Sequence, residues 1–384
     1  TFTNTTITNP SGVGLNIDSS TGNVNYNGGS ITQNNAVSAV VINSQSAGTI
    51  DINVAVTANT GTATGINLTS NAGGTINFDG GLDIDTTTGT GLFASGGTIT
   101  STVGTIDTGT GIGIDIDNAA LGLSLDSVSV SGAANGINLD TTTGSFTVSG
   151  GTITNASGAG IEINAHSGGF TYAGTLTNNS GRSVEVTNSG GTPANTILFS
   201  GSIDDDGTGI FLDNNDQNSG ATINFTGGLA LDTGANTAFT ATNGGTVNTT
   251  GTNRIGATTA LSTTAINVAN TTIGASNLNF ETVNVTGGGA GTGIVLNNTG
   301  TSGGLKMGAG GTNPDDGGVL QNLTNAMLLP LTSDVVLNRV RFQDISGDGV
   351  RGDRIPDRGD PGDGSFQVTN SVFRDIGPVP GPAR

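Results

Sequence analysis

The chain has no cysteine and no tryptophan, a single histidine, two tyrosines, and only 10% charged residues. Without cysteine there is no disulfide framework and no thiol chemistry, a usage shared by many bacterial extracellular proteins and by cytosolic ones. No run approaches the roughly 18 apolar residues of a membrane-spanning helix. Positive charge is also scarce: ten basic residues stand against 29 acidic ones, a net charge of −19. A surface this acidic repels phosphate backbones, which excludes nucleic acid as a partner, and it attracts divalent cations.

What the 384 residues do contain is glycine (67), threonine, asparagine and serine. Length alone would allow two or three ordinary domains. Abundant glycine with little charge resembles disordered low-complexity sequence. Ile, Val, Leu and Phe nevertheless recur in short alternating runs throughout, so apolar surface is available to bury, and a folded, strand-dominated chain is expected. The sequence opens on Thr1 within the strand-like TFTNTTITN, the expected start of an excised piece or a mature product.

A degenerate internal repeat organises the chain. One element has the form G-x-G-I-x-L: VGLNI (13–17), TGINL (64–68), GIGIDI (111–116), NGINL (135–139), AGIEI (159–163), SVEV (183–186), TGIFL (208–212) and TGIVL (292–296), and more weakly DGVRGDRI (348–355). Thirteen steps from Leu15 to Val350 give a spacing of about 26 residues. Between these elements lies a short strand, a Gly-Gly kink and another strand, as in NVNYNGGSIT (23–32), TINFDGGLDI (75–84) and SFTVSGGTIT (145–154). Three short strands per repeat, separated by Gly, Asn, Asp, Ser and Thr turns, predict an all-β, single right-handed parallel β-helix, or β-solenoid, of about 14 coils of roughly 25 residues.

Alternation predicts which side chains enter the core: Ile112, Ile114 and Ile116 inward, Gly113 and Asp115 outward. Tyr26, Phe78, Tyr172, Phe199, Phe225 and Phe280 share the position before the kink and are expected to form an internal stacked ladder. Coils at about 4.8 Å each would build a rod about 65 Å long, with loops in the longer coils near 246–273 and 306–330. Residues 1–334 form the Thr/Asn/Gly-rich coils. Residues 335–384 continue the helix with a charged loop at 351–364, and seven of the ten basic residues lie there.

In that last part NRVRFQDISGDGV (338–350) and TNSVFRDIG (369–377) align at a spacing of 31, pairing Phe342, Asp344 and Ile345 with Phe373, Asp375 and Ile376. These segments resemble coils of the pectin-lyase-like right-handed β-helix superfamily. The remainder resembles repeats of bacterial surface adhesins and autotransporter passenger domains. The resemblance implies an extracellular location at a bacterial cell surface, within a larger protein that displays loops or carbohydrate-binding faces.

Some relatives in that superfamily cleave acidic polysaccharides. Their hydrolase branch uses clustered aspartates with a nearby histidine; here the candidates are Asp204, Asp205 and Asp206, Asp315 and Asp316, and His166. His166 lies in NAHSGG and is expected to be a surface turn residue, and the aspartates read as turn formers. Arg182 and Arg254, the counterparts of a lyase arginine, read as isolated turn residues. No catalytic residue is expected. Calcium takes six to eight oxygen ligands, and Asp213 and Asp216 in DNNDQN, with Asp357, Asp360 and Asp363, are weak candidates for it. Outward Thr rows would suit an ice lattice only if coil lengths were uniform, and they are not.

The segment DGVRGDRIPDRGDPGDG (348–364) carries two Arg-Gly-Asp triplets. The first is expected along a strand. Pro356 and Pro361 keep the following stretch out of the sheet, which leaves Arg358, Gly359 and Asp360 as the triplet a receptor could reach. The expected function is a non-catalytic structural and adhesive rod. Its expected partners are a host or cell-surface receptor, a glycan, or further copies stacked end to end through open sheet edges. The alternative is a carbohydrate-active enzyme or glycan-binding spike.

Overall fold

A computed structural model describes residues 1–191, 195–308, 311–353 and 366–377. Every regular element among them is a β-strand, and every strand pairing is parallel. The chain divides into two compact units, Thr1–Ile197 and Leu198–Arg384. The change in composition near residue 335 falls within the second.

One coil of the first unit shows the plan. Ile114–Asp117 is followed by Ala120–Leu125 and Ser127–Ser131, and the chain then returns at Ile137–Asp140, one coil on. Ile137 lies beside Ile114 and Leu139 beside Ile116. Repetition of this path builds three columns of parallel strands. We number them from the Thr-rich strand before the kink (first), through the strand after it (second), to the G-x-G-I-x-L strand (third). The third column holds eight strands in the first unit, from Leu15–Asp18 to Arg182–Thr187, and six in the second, from Ile210–Asp213 to Val350–Asp353. The fold is the expected parallel β-solenoid, with about 14 turns and a spacing near 25 residues.

Two local devices make the coils close. The first is the kink. In Val24–Gln33 a single strand turns from the first column to the second at Gly28 and Gly29, with φ of 77° and 97°. A Cβ on Gly29 would sit 1.8 Å from the Thr5 carbonyl oxygen, so no larger residue fits that bend. The second is a single left-handed residue at the corner after most third-column strands. Ser19, Ser44, Ser70, Asn118, Thr141, Ala165 and Asn188 in the first unit all have φ between 52° and 59°. In the second unit the corner is Asn214, Asn243, Asn270, Asn298 and then Leu331. Asn tolerates this left-handed conformation best among side-chain-bearing residues, which accounts for the recurring asparagines.

Ile, Val and Leu fill the interior. Ile31, Ile50, Ile66, Ile114 and Ile137 in the first unit, and Ile266, Ile294 and Leu296 in the second, are fully buried. Each such side chain contributes about 1.5–3 kcal/mol relative to an exposed one. The expected alternation fails at one point: Ile112 is half-buried and Gly113 faces the core. The strand begins only at Ile114. A Cβ on Gly113 would lie 2.7 Å from Val130 Cγ2 and 2.8 Å from the Gly136 carbonyl oxygen, so the chain enters the third column through a space that only glycine fits.

All six aromatics of the kink register are buried, but they do not form a continuous ladder. Phe199 stacks on Phe225 at 5.1 Å, whereas Tyr26 faces Ile52, Phe78 faces Ser101 and Tyr172 faces Val148 on adjacent coils. The extra length near 272–280 is absorbed as a bulge: Thr246 pairs with Thr272 and Val247 with Ile273, but Thr249 pairs with Leu278. The C-terminal alignment holds, with Phe342 beside Phe373 and Ile345 beside Ile376.

Candidate functional site

Each unit presents outward rows of polar side chains, one residue per coil. In the first unit Asn25, Asp51, Asn77 and Thr100 are in register along the first column. Asn77 Nδ2 donates to Asp51 Oδ1 at 2.7 Å, and Thr100 Oγ1 donates to Asn77 Oδ1 at 2.7 Å. At the edge of the third column Asn43 Nδ2 donates to Asp18 Oδ1 (3.0 Å), Asn164 Nδ2 to Asp140 Oδ1 (2.7 Å), and Thr187 Oγ1 and Asn188 Nδ2 to Asn164 Oδ1 (3.1 and 2.8 Å). The second unit repeats the device through Asn248 to Asn224 and Asn298 to Asn270. These side chains tie one coil to the next.

The same rows bring carboxylates face to face. Asp85 lies beside Asp107, Asp117 beside Asp140, and Glu162 beside Glu185. Partial burial, and then the charge of Asp85, raise the Asp107 carboxyl above the ordinary aspartate range. Burial also raises Glu185; Arg182 at 3.2 Å opposes that rise and Glu162 adds to it. The Glu162–Glu185 pair escaped the sequence reading, although AGIEI and SVEV already put the two glutamates at one position of the repeat.

The sequence candidates fall as follows. Asp205 is buried, and its Oδ1 accepts hydrogen bonds from the backbone N–H groups of Gly207 (2.8 Å) and Gly209 (3.0 Å), the turn-forming role expected of it. Asp204 is raised by burial and by Asp206 and Asp232. Asp316 Oδ2 accepts from the backbone of Thr312 and Asn313 at 2.6 Å each, which lowers its pKa, and Asp315 pairs with Arg341 at 3.2 Å. His166 belongs to the first unit and the Asp204–Asp206 triplet to the second.

Three expectations need correction. His166 is not a surface turn residue but fully buried, because the residue after the corner turns back into the interior, as Gln45, Asn71, Thr142 and Ser189 also do. Arg182 and Arg254 are not isolated turn residues. Each lies on a strand, Arg182 pairs with Glu185, and Arg254 reaches across one coil with Nε and Nη2 at 3.0 and 2.7 Å from Glu281 Oε2. The first Arg-Gly-Asp triplet is as accessible as a loop would be: Val350–Asp353 is a third-column strand in register with Met327–Pro330, and Arg351, Gly352 and Asp353 are all exposed. Arg351 and Asp353 line a depression of about 170 Å³ with Leu328 and Pro330.

Arg358, Gly359 and Asp360, and with them Asp357 and Asp363, lie outside the described residues. Of the other calcium candidates, Asp213 Oδ1 accepts from Thr242 Oγ1 (2.5 Å) and Asn243 Nδ2 (2.8 Å), the coil-to-coil bonding seen elsewhere. Asp216 lines an open depression of about 300 Å³ with Asn218, Ser219, Thr222, Thr246 and Thr272. Among the described residues no three His, Cys, Asp or Glu side chains are grouped to hold a metal ion, and no helix is long and apolar enough to cross a membrane.

No family model, curated protein or solved structure matches this chain.

Proposed function

We propose that the chain is a non-catalytic structural and adhesive segment of a bacterial extracellular surface protein, used for spacing, display or attachment. The observation that carries this reading is the use made of the outward polar side chains. Asn, Asp and Thr in the exposed rows bond to the next coil rather than converging on a concavity, as in the Asp51–Asn77–Thr100 series. Side chains held in this way make a stiff, hydrated surface that presents the same chemistry coil after coil. The exposed Arg351-Gly352-Asp353 strand, together with Arg358-Gly359-Asp360, is the segment through which a receptor would be engaged.

Attachment assays with purified protein test this. Cells or glycan-coated surfaces should retain the wild-type chain, and Asp353→Glu combined with Asp360→Glu should reduce retention. Electron microscopy should show stiff particles, with long unbranched filaments if copies stack end to end. Absence of attachment to any surface tried, or flexible particles, counts against the proposal.

The carbohydrate-active reading has one observation in its favour, the neighbouring Glu162 and Glu185 with the latter raised by burial. Paired carboxylates of this kind serve as acid and nucleophile in glycoside hydrolysis. Release of sugar products from pectin, alginate or glucans, abolished by Glu185→Gln, would establish it in place of the structural role.

A further inference from the structure

The interior of the first unit is not wholly apolar. Just after the corner, the same position of seven coils in turn is occupied by Gln45, Asn71, Gly97, Ala119, Thr142, His166 and Ser189, and the five polar side chains among them are all buried. His166 is the only one of these that can take up a proton near neutral pH. Its Nδ1 lies 2.9 Å from Thr142 Oγ1 and its backbone N–H donates to Ser189 Oγ at 3.3 Å. Its carbonyl accepts from Gly190 N at 3.1 Å and Asn195 Nδ2 at 3.2 Å. Among the described residues the other ring nitrogen, Nε2, has no hydrogen-bond partner, and neither has Asn195 Oδ1.

A neutral imidazole suits this pocket with one nitrogen bonded and one bare. An imidazolium does not, because it adds a second N–H and a full charge to a space closed to water. The titratable side chains on the strands packed around the corner are Asp140, Glu162, Arg182, Glu185 and Tyr172. The first four stand half-exposed on outward rows, and the Tyr172 hydroxyl donates to the Val128 carbonyl. None of them supplies a counter-charge to the ring. Burial accordingly lowers His166 to about 4, against a smaller opposing pull from the Gly169 and Thr142 carbonyls.

We propose that the His166 corner is an acid-labile latch: protonation of the buried imidazole drives local opening of its coil, releasing the Thr142–His166–Ser189 contacts and the strand edges beside them. The direction follows from linkage. A base whose closed-state pKa lies below its open-state value of 6.5 binds its proton first in the open form. The closed coil is therefore fully favoured above about pH 6.5 and is progressively lost as pH falls toward about 4. Released edges of parallel strands are templates for pairing with another chain, so mild acid would convert a closed coil into one that can be joined.

Hydrogen exchange of the full chain, read peptide by peptide at pH 7.5 and pH 5 and corrected for intrinsic exchange, tests the latch. The opening constant for amides between Thr142 and Ser189 should rise about 30-fold in the wild type. In His166→Asn it should change by less than about 3-fold. Asparagine is chosen because Asn71, and Asn215 in the second unit, are buried at the equivalent corner position. If that variant does not fold, His166→Gln replaces it, after Gln45. An equal rise in wild type and variant, or a rise spread evenly along the first unit, would overturn the latch.

Discussion

Residues 1–181 contain eleven carboxylates and no lysine or arginine; residues 335–384 contain seven aspartates and seven arginines. The described residues of both stretches pair in the same parallel columns, but their outward faces are held by different chemistry. In the first, amides and hydroxyls bridge carboxylates, as Asn138 does for Asp115 at 2.9 Å. In the second, arginine enters: Arg341 pairs with Asp315, and Arg339 Nε donates to the Gly311 carbonyl at 2.9 Å. The interior differs as well. Inward aromatics of the earlier coils, such as Phe78, Phe146 and Phe225, are closed in, whereas in the last described coil Phe366, Val372, Phe373 and Ile376 are all exposed. The solenoid path is indifferent to which polar pairs line its outside.

The largest break in this comparison should come from the core. Phe225 is buried between Phe199 at 5.1 Å and Phe239 at 5.9 Å. Phe225→Ala should cost about 3–5 kcal/mol in urea denaturation. Phe373 is 49% exposed although it stacks on Phe342 at 4.5 Å, so Phe373→Ala should cost about 1 kcal/mol, the scale of an aromatic pair alone. Equal costs would mean that the last coil is covered as fully as the inner ones.

The corner comes next. Leu331 takes a φ of 53° where earlier coils use Asn, and it is 37% exposed, so little burial is at stake. Leu331→Asn should stabilise by about 1 kcal/mol. The reverse change, Asn298→Leu, should cost about the same and also loses the 3.1 Å bond to Asn270. Thermal melts of the two variants should therefore move in opposite directions.

A smaller effect separates the two electrostatic schemes. Asp107→Asn removes a like charge opposite Asp85 and should stabilise by about 0.5 kcal/mol at pH 7. The Asp107 pKa is raised in the folded state. The wild type should therefore recover part of that difference as pH falls through the carboxylate range, and lose it again as pH rises. A variant advantage independent of pH would exclude repulsion as its cause. The smallest change is expected at Arg254, whose side chain and that of Glu281 are 50% and 38% exposed. Arg254→Gln should cost less than about 0.5 kcal/mol, and nothing measurable at high salt.

The fold was legible because its signals are local and repeated: glycines at kinks, asparagines at corners, and alternate aliphatics along short strands. The strand carrying Arg351-Gly352-Asp353 could be placed from the repeat alone, as could the pairing of Phe342 with Phe373. What escaped depends on neighbours one coil away. Arg254 looks isolated until Glu281, 27 residues on, is seen in the next coil. His166 looks like a turn residue because NAHSGG is turn-like in composition, yet the single-residue corner at Ala165 is too short to leave the next side chain outside. Ile112 and Gly113 exchange roles because the strand starts only at Ile114, so the alternation does not extend back to Ile112.

The inward polar row has a consequence for folding fidelity. Near-identical repeats can dock one coil out of step, since most aliphatic positions are interchangeable. Gln45, Asn71, Thr142, His166 and Ser189 are instead each tied to a partner on the adjacent coil. A coil shifted by one would take His166 away from Thr142 and leave both buried without that bond, a penalty of about 1–3 kcal/mol for each group stranded. Unlike side chains along an otherwise repetitive interior thus act as a serial number, fixing which coil belongs on which.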